Sequence, residues 1–236
     1  MGGDAVWLAD LLAGVRFELE SLCHRFGVAS VCGAVLEGFA EALPSWFSGR
    51  KRRVIASVVL YTSLLIARGV RKGLLKDVLD AFDVSKPSFR DAFSRVAFVD
   101  WDTGLVYLEP RLFEALSKRM RLPGHVGRYS VGEVVRNRVE KVYPGLYSSL
   151  DLVCMKSCGK SYLKTLLEEP EIARDAVLKL STPRIAKWIV EKTVHTIAEL
   201  LDVDTEPSKI AELLFEDPDK FKTAMRGIIE RASASP

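Results

Sequence analysis

The sequence predicts a mainly α protein: a helical N-terminal segment, a central helix-turn-helix closed by a short β-hairpin, and a helical C-terminal domain. Three observations predict it. Apolar residues recur at helical spacing through most of the 236 residues. β-rich runs occur at one place only, Ala97–Trp101 and Leu105–Leu108, around a Gly-containing turn. Glycine and proline stand where helices are expected to stop and start.

The first segment, 1–48, reads as two helices. Leu8, Leu11, Leu12, Val15 and Leu22 share a face of Asp4–Cys23, Gly27 ends that helix, and Val28–Leu43 is stopped by Pro44. A polar basic hinge follows, Ser48-Gly49-Arg50-Lys51-Arg52-Arg53.

The middle segment, 49–123, carries the pattern of interest. Val54–Ala67 is a long apolar helix ending at Gly69, and Leu74–Phe82 is a shorter one. Its flanking Arg53 and Arg68, and its interruption by Ser57, Tyr61, Thr62 and Ser63, make the first a buried core helix. It falls short of the ~18 apolar residues of a membrane span. Asp83-Val84-Ser85 is a turn with Ser85 as N-cap, and a third helix runs from Lys86 to Val96 with Pro87 in its first turn. Phe89 and Phe93, four apart, share its inner face. The hairpin, a helix at Leu112–Met120 and a break at Pro123-Gly124 complete the segment.

The last segment, 124–236, is helical again. Its helix starts set an acidic or hydroxyl residue before proline, as at Glu169-Pro170, Thr182-Pro183 and Asp217-Pro218. Glu168-Glu169-Pro170 and Glu216-Asp217-Pro218 match at an offset of 48 residues. Shared helix-start chemistry is the main explanation, and a duplicated helical hairpin the alternative.

Charge is unevenly placed. Residues 1–48 hold 2 basic and 6 acidic side chains, 49–141 hold 19 and 10, and 142–236 hold 13 and 15. A basic block between acidic flanks marks where a polyanion would dock. Arg50, Lys51, Arg52 and Arg53 stand at a helix start, where cations oppose the helix dipole, which favours phosphate contact. Lys118, Arg119, Arg121, Arg128, Arg136, Arg138 and Lys141 extend the positive surface.

Residues 54–110, centred on Leu74–Val96, resemble the winged-helix family of DNA-binding domains. The resemblance implies that the third helix enters the major groove, with Lys86, Ser88, Arg90 and Arg95 facing double-stranded DNA. The turn Asp100-Trp101-Asp102-Thr103-Gly104 departs from the basic wings of many members, so this wing is not expected to touch phosphate. Winged helices also serve as protein-docking modules. Ala56–Leu65 resembles, in addition, the opening of a cyclin-box repeat of the general transcription factor B type, which the β-rich run after Val96 counts against.

The cysteines do not spell zinc. Cys23 and Cys32 are nine apart, and Cys154 and Cys158 four apart. Buried free thiols are the expected state, with a disulfide as the alternative. A bridge across one helical turn is strained, so Cys154 and Cys158 are expected reduced. Cys158-Gly159-Lys160-Ser161 lacks the first glycine of a phosphate loop. No catalytic constellation or cofactor motif is found, and no enzyme is expected.

The absence of Gln and the single Asn, Asn137, point to a thermophile, in particular an archaeal one. The expectation is therefore a cytoplasmic, DNA-binding regulatory or chromosome-associated protein that contacts no membrane, with a homodimer or protein partner open. The alternative is a non-enzymatic interaction subunit.

Overall fold

The computed structural model describes residues 3–234, with side chains described over 7–231. It is mainly helical with one three-stranded sheet, and no helix among the described residues is long and apolar enough to cross a membrane. The chain divides into two compact units between Tyr129 and Ser130.

The first unit contains α1 (Gly3–Arg25), α2 (Ala29–Ala42), a 3-10 turn (Pro44–Phe47), α3 (Arg52–Arg68), α4 (Leu74–Phe82), α5 (Lys86–Ser94), β1 (Ala97–Asp100), β2 (Leu105–Leu108), α6 (Pro110–Arg119) and β3 (Val126–Arg128). α3 is its axis: every residue from Val54 to Ile66 is buried. Two of the hydroxyls that interrupt its apolar run, those of Ser57 and Ser63, are satisfied within the helix, whereas the buried Thr62 hydroxyl has no hydrogen-bond partner among the described residues. Ser57 donates to the Val54 carbonyl at 2.8 Å and Ser63 to that of Val59 at 2.7 Å, so neither leaves an unpaired polar group in the core. α1, α2, α4 and α5 all pack on α3.

Residues 3–48 are thus not a separate segment. They share one core with 49–129, because the apolar face of α2 closes on both α3 and α6. At Gly38 a Cβ would lie 2.5 Å from Leu116 Cδ2, so glycine lets α6 approach there.

β3 was not expected. It pairs parallel with β2, Val106 opposite Val126 and Leu108 opposite Arg128, on the side away from β1. The break expected at 123/124 therefore falls inside the first unit, and the division comes after Tyr129, whose N–H donates to the Leu108 carbonyl at 2.8 Å.

The free-thiol expectation fails for one pair. Cys23 and Cys32 form a disulfide, with Cα atoms 6.4 Å apart. Gly27, at φ +62°, turns the chain back so that the last turn of α1 meets the first turn of α2. Cys154 and Cys158 carry free thiols, as expected. Thiol titration of the denatured, unreduced chain should therefore find two thiols, and four would refute the bridge. Closing so short a loop stabilises by about 2.5–3 kcal/mol in the chain-entropy account. The paired Cys23→Ala, Cys32→Ala variant should lose about that much in denaturant unfolding.

The second unit contains α7 (Val131–Val142), α8 (Leu146–Cys158), α9 (Tyr162–Glu168), α10 (Pro170–Leu180), α11 (Pro183–Leu200), α12 (Pro207–Glu216) and α13 (Pro218–Ala234). The matching Glu-Glu-Pro and Glu-Asp-Pro motifs are one-residue corners, between α9 and α10 and between α12 and α13. Proline can open the second helix of each corner without losing a hydrogen bond. Arg138, expected on the surface, is buried at 4% exposure. It bonds Glu199 at 2.6 Å and Thr196 Oγ1 at 3.4 Å, both on α11.

Candidate nucleic-acid interface

α4 and α5 meet at a tight turn. Asp83 takes the left-handed conformation, φ 53°, and the Val84 N–H donates to the Leu79 carbonyl at 3.1 Å. Asp is one of the few side chains that tolerate this geometry at a helix end. Ser85 occupies the N-cap position of α5 with extended backbone. Its hydroxyl does not cap the helix, and instead pairs with the Ser88 hydroxyl at 2.9 Å.

The inner face of α5 is fixed by aromatic packing. Phe89 is 2% exposed, and its ring lies edge-on to Tyr61 of α3, centroids 5.4 Å apart. Phe93 is half-buried, meets Tyr61 at 5.2 Å and stacks on Phe89 at 5.4 Å. Such pairs add about 0.5–1.5 kcal/mol beyond burial. From the other side, the Trp46 indole N–H donates to the Ala92 carbonyl at 3.0 Å. With that face held, Lys86, Ser88, Arg90 and Arg95 stand exposed on the other, as the sequence predicts.

The basic cluster at the start of α3 divides by role. Arg50 is not presented to solvent: its side chain is 14% exposed, and its guanidinium lies 5.1 Å from the Trp46 ring centroid. It also donates to the Trp46 carbonyl and pairs with Asp91 at 3.8 Å. Burial, with Arg95 nearby, holds its pKa below the usual arginine value, and Asp91 opposes the shift. Arg50 is thus a structural cation joining the turn at 44–47 to α5. Arg53 reaches Asp83 at 3.9 Å, and Arg95 pairs with Asp91 at 3.3 Å, both pairs well exposed. Arg52 is exposed and its guanidinium lies over Gly14 of α1. Among the described residues, Lys51, Lys86 and Arg90 have no acid within 4.0 Å. Lys86 and Arg90, four apart, form one uncompensated stripe of α5. The Asp91–Arg95 pair has the i,i+4 spacing of a helix, but sequence spacing gives no sign of the Arg50–Asp91 and Arg53–Asp83 pairs, whose partners are remote along the chain.

Several of the more distant cations are likewise paired. Arg119 bonds Glu41 at 2.6 Å, and Arg128 meets Glu114 at 3.7 Å.

The hairpin turn is built by one of its two acids. Asp100 is fully buried, and its Oδ1 accepts the Asp102 N–H at 3.0 Å while its carbonyl accepts that of Gly104 at 2.8 Å. Gly104 has φ +74°, which the turn requires. Asp102 is exposed, and Trp101 stands out at 57% exposure. No known protein family, curated protein or solved structure matches the chain.

Proposed function

We propose that residues 54–110 act as a winged helix-turn-helix that binds duplex DNA through α5, in a regulatory or chromosome-associated role. The observation that carries the reading is the pairing of a locked inner face with an uncompensated outer one. Phe89 and Phe93 on Tyr61 fix the helix, while Lys86, Ser88 and Arg90 project from it without an acidic partner among the described residues. A helix of about this width fits the major groove, and Lys and Arg suit phosphate and guanine contacts. Lys51 adds positive charge at the flank.

A salt titration of binding to a random 20-base-pair duplex tests this. Each phosphate contact contributes about −0.9 to the log–log slope. Three cations in contact, Lys51, Lys86 and Arg90, would give a slope of roughly −3. No binding at low salt and tens of micromolar protein would overturn the reading. One observation favours a second reading, a protein-docking module: Asp91 and Asp83 already pair with Arg50, Arg95 and Arg53 and offset most of their charge. That reading takes over if DNA does not bind.

A further inference from the structure

The Cys23–Cys32 bridge forms part of the wall of a cleft between α1 and α2, about 330 Å³ in volume. That is the lower end of the range for small-molecule pockets. Arg16 and His24 of α1 and Gly33 of α2 also line it. The two cysteines are only 2% and 5% exposed, so an attacking group must come along the cleft and must be slender. Gly33 keeps the cleft open. It is exposed, and a Cβ added there would meet no atom within 4 Å among the described residues.

The two sulfurs are not equivalent. Cys32 stands in the first turn of α2, which holds no acid and whose N-cap, Val28, supplies no side-chain hydrogen bond. A thiolate there is stabilised by the positive end of the helix. Cys23 stands in the last turn of α1, where a thiolate meets the negative end. Of the cations in that turn, Arg25 lies over the Phe26 ring and His24 is exposed. The better-stabilised thiolate is the better leaving group, so an entering thiolate attacks Cys23 and releases Cys32. The turn between the helices does not depend on the bridge alone. The Phe26 N–H donates to the Leu22 carbonyl and the Val28 N–H to the Cys23 carbonyl, both at 2.8 Å, and Arg68 of α3 donates to the Phe26 carbonyl. These bonds keep the two thiols neighbours after reduction, ready to close again.

We propose that Cys23–Cys32 is an exchangeable disulfide, reduced in the folded chain by a small thiol that enters this cleft. In the first step the thiolate bonds to Cys23 Sγ, the Cys23–Cys32 bond breaks, and Cys32 leaves as a thiolate that takes up a proton. In the second, another thiolate attacks the entering sulfur of the mixed disulfide. Cys23 leaves and is protonated, and the reductant departs as its own disulfide. Two electrons have passed from thiol to chain. The test treats the folded full chain with dithiothreitol, quenches with acid, counts thiols after denaturation, and follows the fold by circular dichroism. The count should rise from two to four at a rate proportional to reductant, with the helical signal kept, and cystamine should return it to two. Gly33→Leu fills the cleft and is the better helix former, so it should slow reduction by about 10-fold or more, with Gly33→Ala in between. With cysteamine as the thiol, tryptic cleavage after Arg25 separates the two cysteines and should place the adduct on Cys23. Reduction that needs urea, that runs equally fast in a folded Gly33→Leu chain, or that destroys the helical signal overturns the proposal and leaves the bridge a structural staple. An adduct on Cys32 overturns the assignment of Cys32 as leaving group.

Discussion

The Lys86→Ala, Arg90→Ala double variant is expected to bind duplex DNA more weakly than the parent by roughly 2–4 kcal/mol, a factor of about 30 to 1000. Its log–log salt slope should be shallower by about 2, because two phosphate contacts have gone. Both side chains are exposed and unpaired by any acid among the described residues, so stability should stay within about 0.5 kcal/mol of the parent. The separation of effects matters. A variant that binds weakly because it has unfolded would show it by circular dichroism. Parent-like affinity in a folded double variant would show that α5 is not a recognition helix, and protein docking would replace DNA binding as the proposed role.

The opposite face of the same helix should behave in the opposite way. Phe89→Ala removes a ring that is 2% exposed and touches both Tyr61 and Phe93. The expected loss is about 3–5 kcal/mol, the transfer energy of the ring plus the cavity left behind. Phe93→Ala should cost less, because that ring is only half-buried. With two compact units in the chain, a global melt can blend two transitions. Native-state hydrogen exchange of the α3 amides reports on the first unit directly. A loss under about 1 kcal/mol there would mean that the Tyr61–Phe89–Phe93 cluster does not hold α5.

The local pattern was readable where neighbours in sequence are neighbours in space. α4 from Leu74 to Phe82 and β2 from Leu105 to Leu108 fall where periodicity and glycine place them, and α3 lies where its apolar run predicts. The exposure of Lys86, Ser88, Arg90 and Arg95 follows from burying Phe89 on a 3.6-residue repeat. Some misses are local, as where the Ser85 hydroxyl pairs with Ser88 instead of capping α5; others depend on how the chain is brought back on itself. Arg50 reads as a solvated cation until Trp46 and Asp91 are brought to it. The Cys23–Cys32 bridge depends on how sharply Gly27 turns the chain. β3 is three residues with a central Gly127, and its parallel partner lies across α6, so neither composition nor a hairpin turn announced it.

That late strand sets where the first unit can be cut. A fragment ending at Pro123, where glycine and proline suggest a natural break, would strip β2 of the Val106 N–H partner at His125 and the Leu108 carbonyl partner at Tyr129. β2 would then become an open edge, with main-chain donors and acceptors facing outward beside apolar Val106 and Leu108. Such edges recruit strands from other molecules, and the outcome is self-association or aggregation. An isolated fragment of the first unit that keeps its helices but omits residues 124–129 would thus be lost to precipitation, and its failure to bind DNA would say nothing about α5.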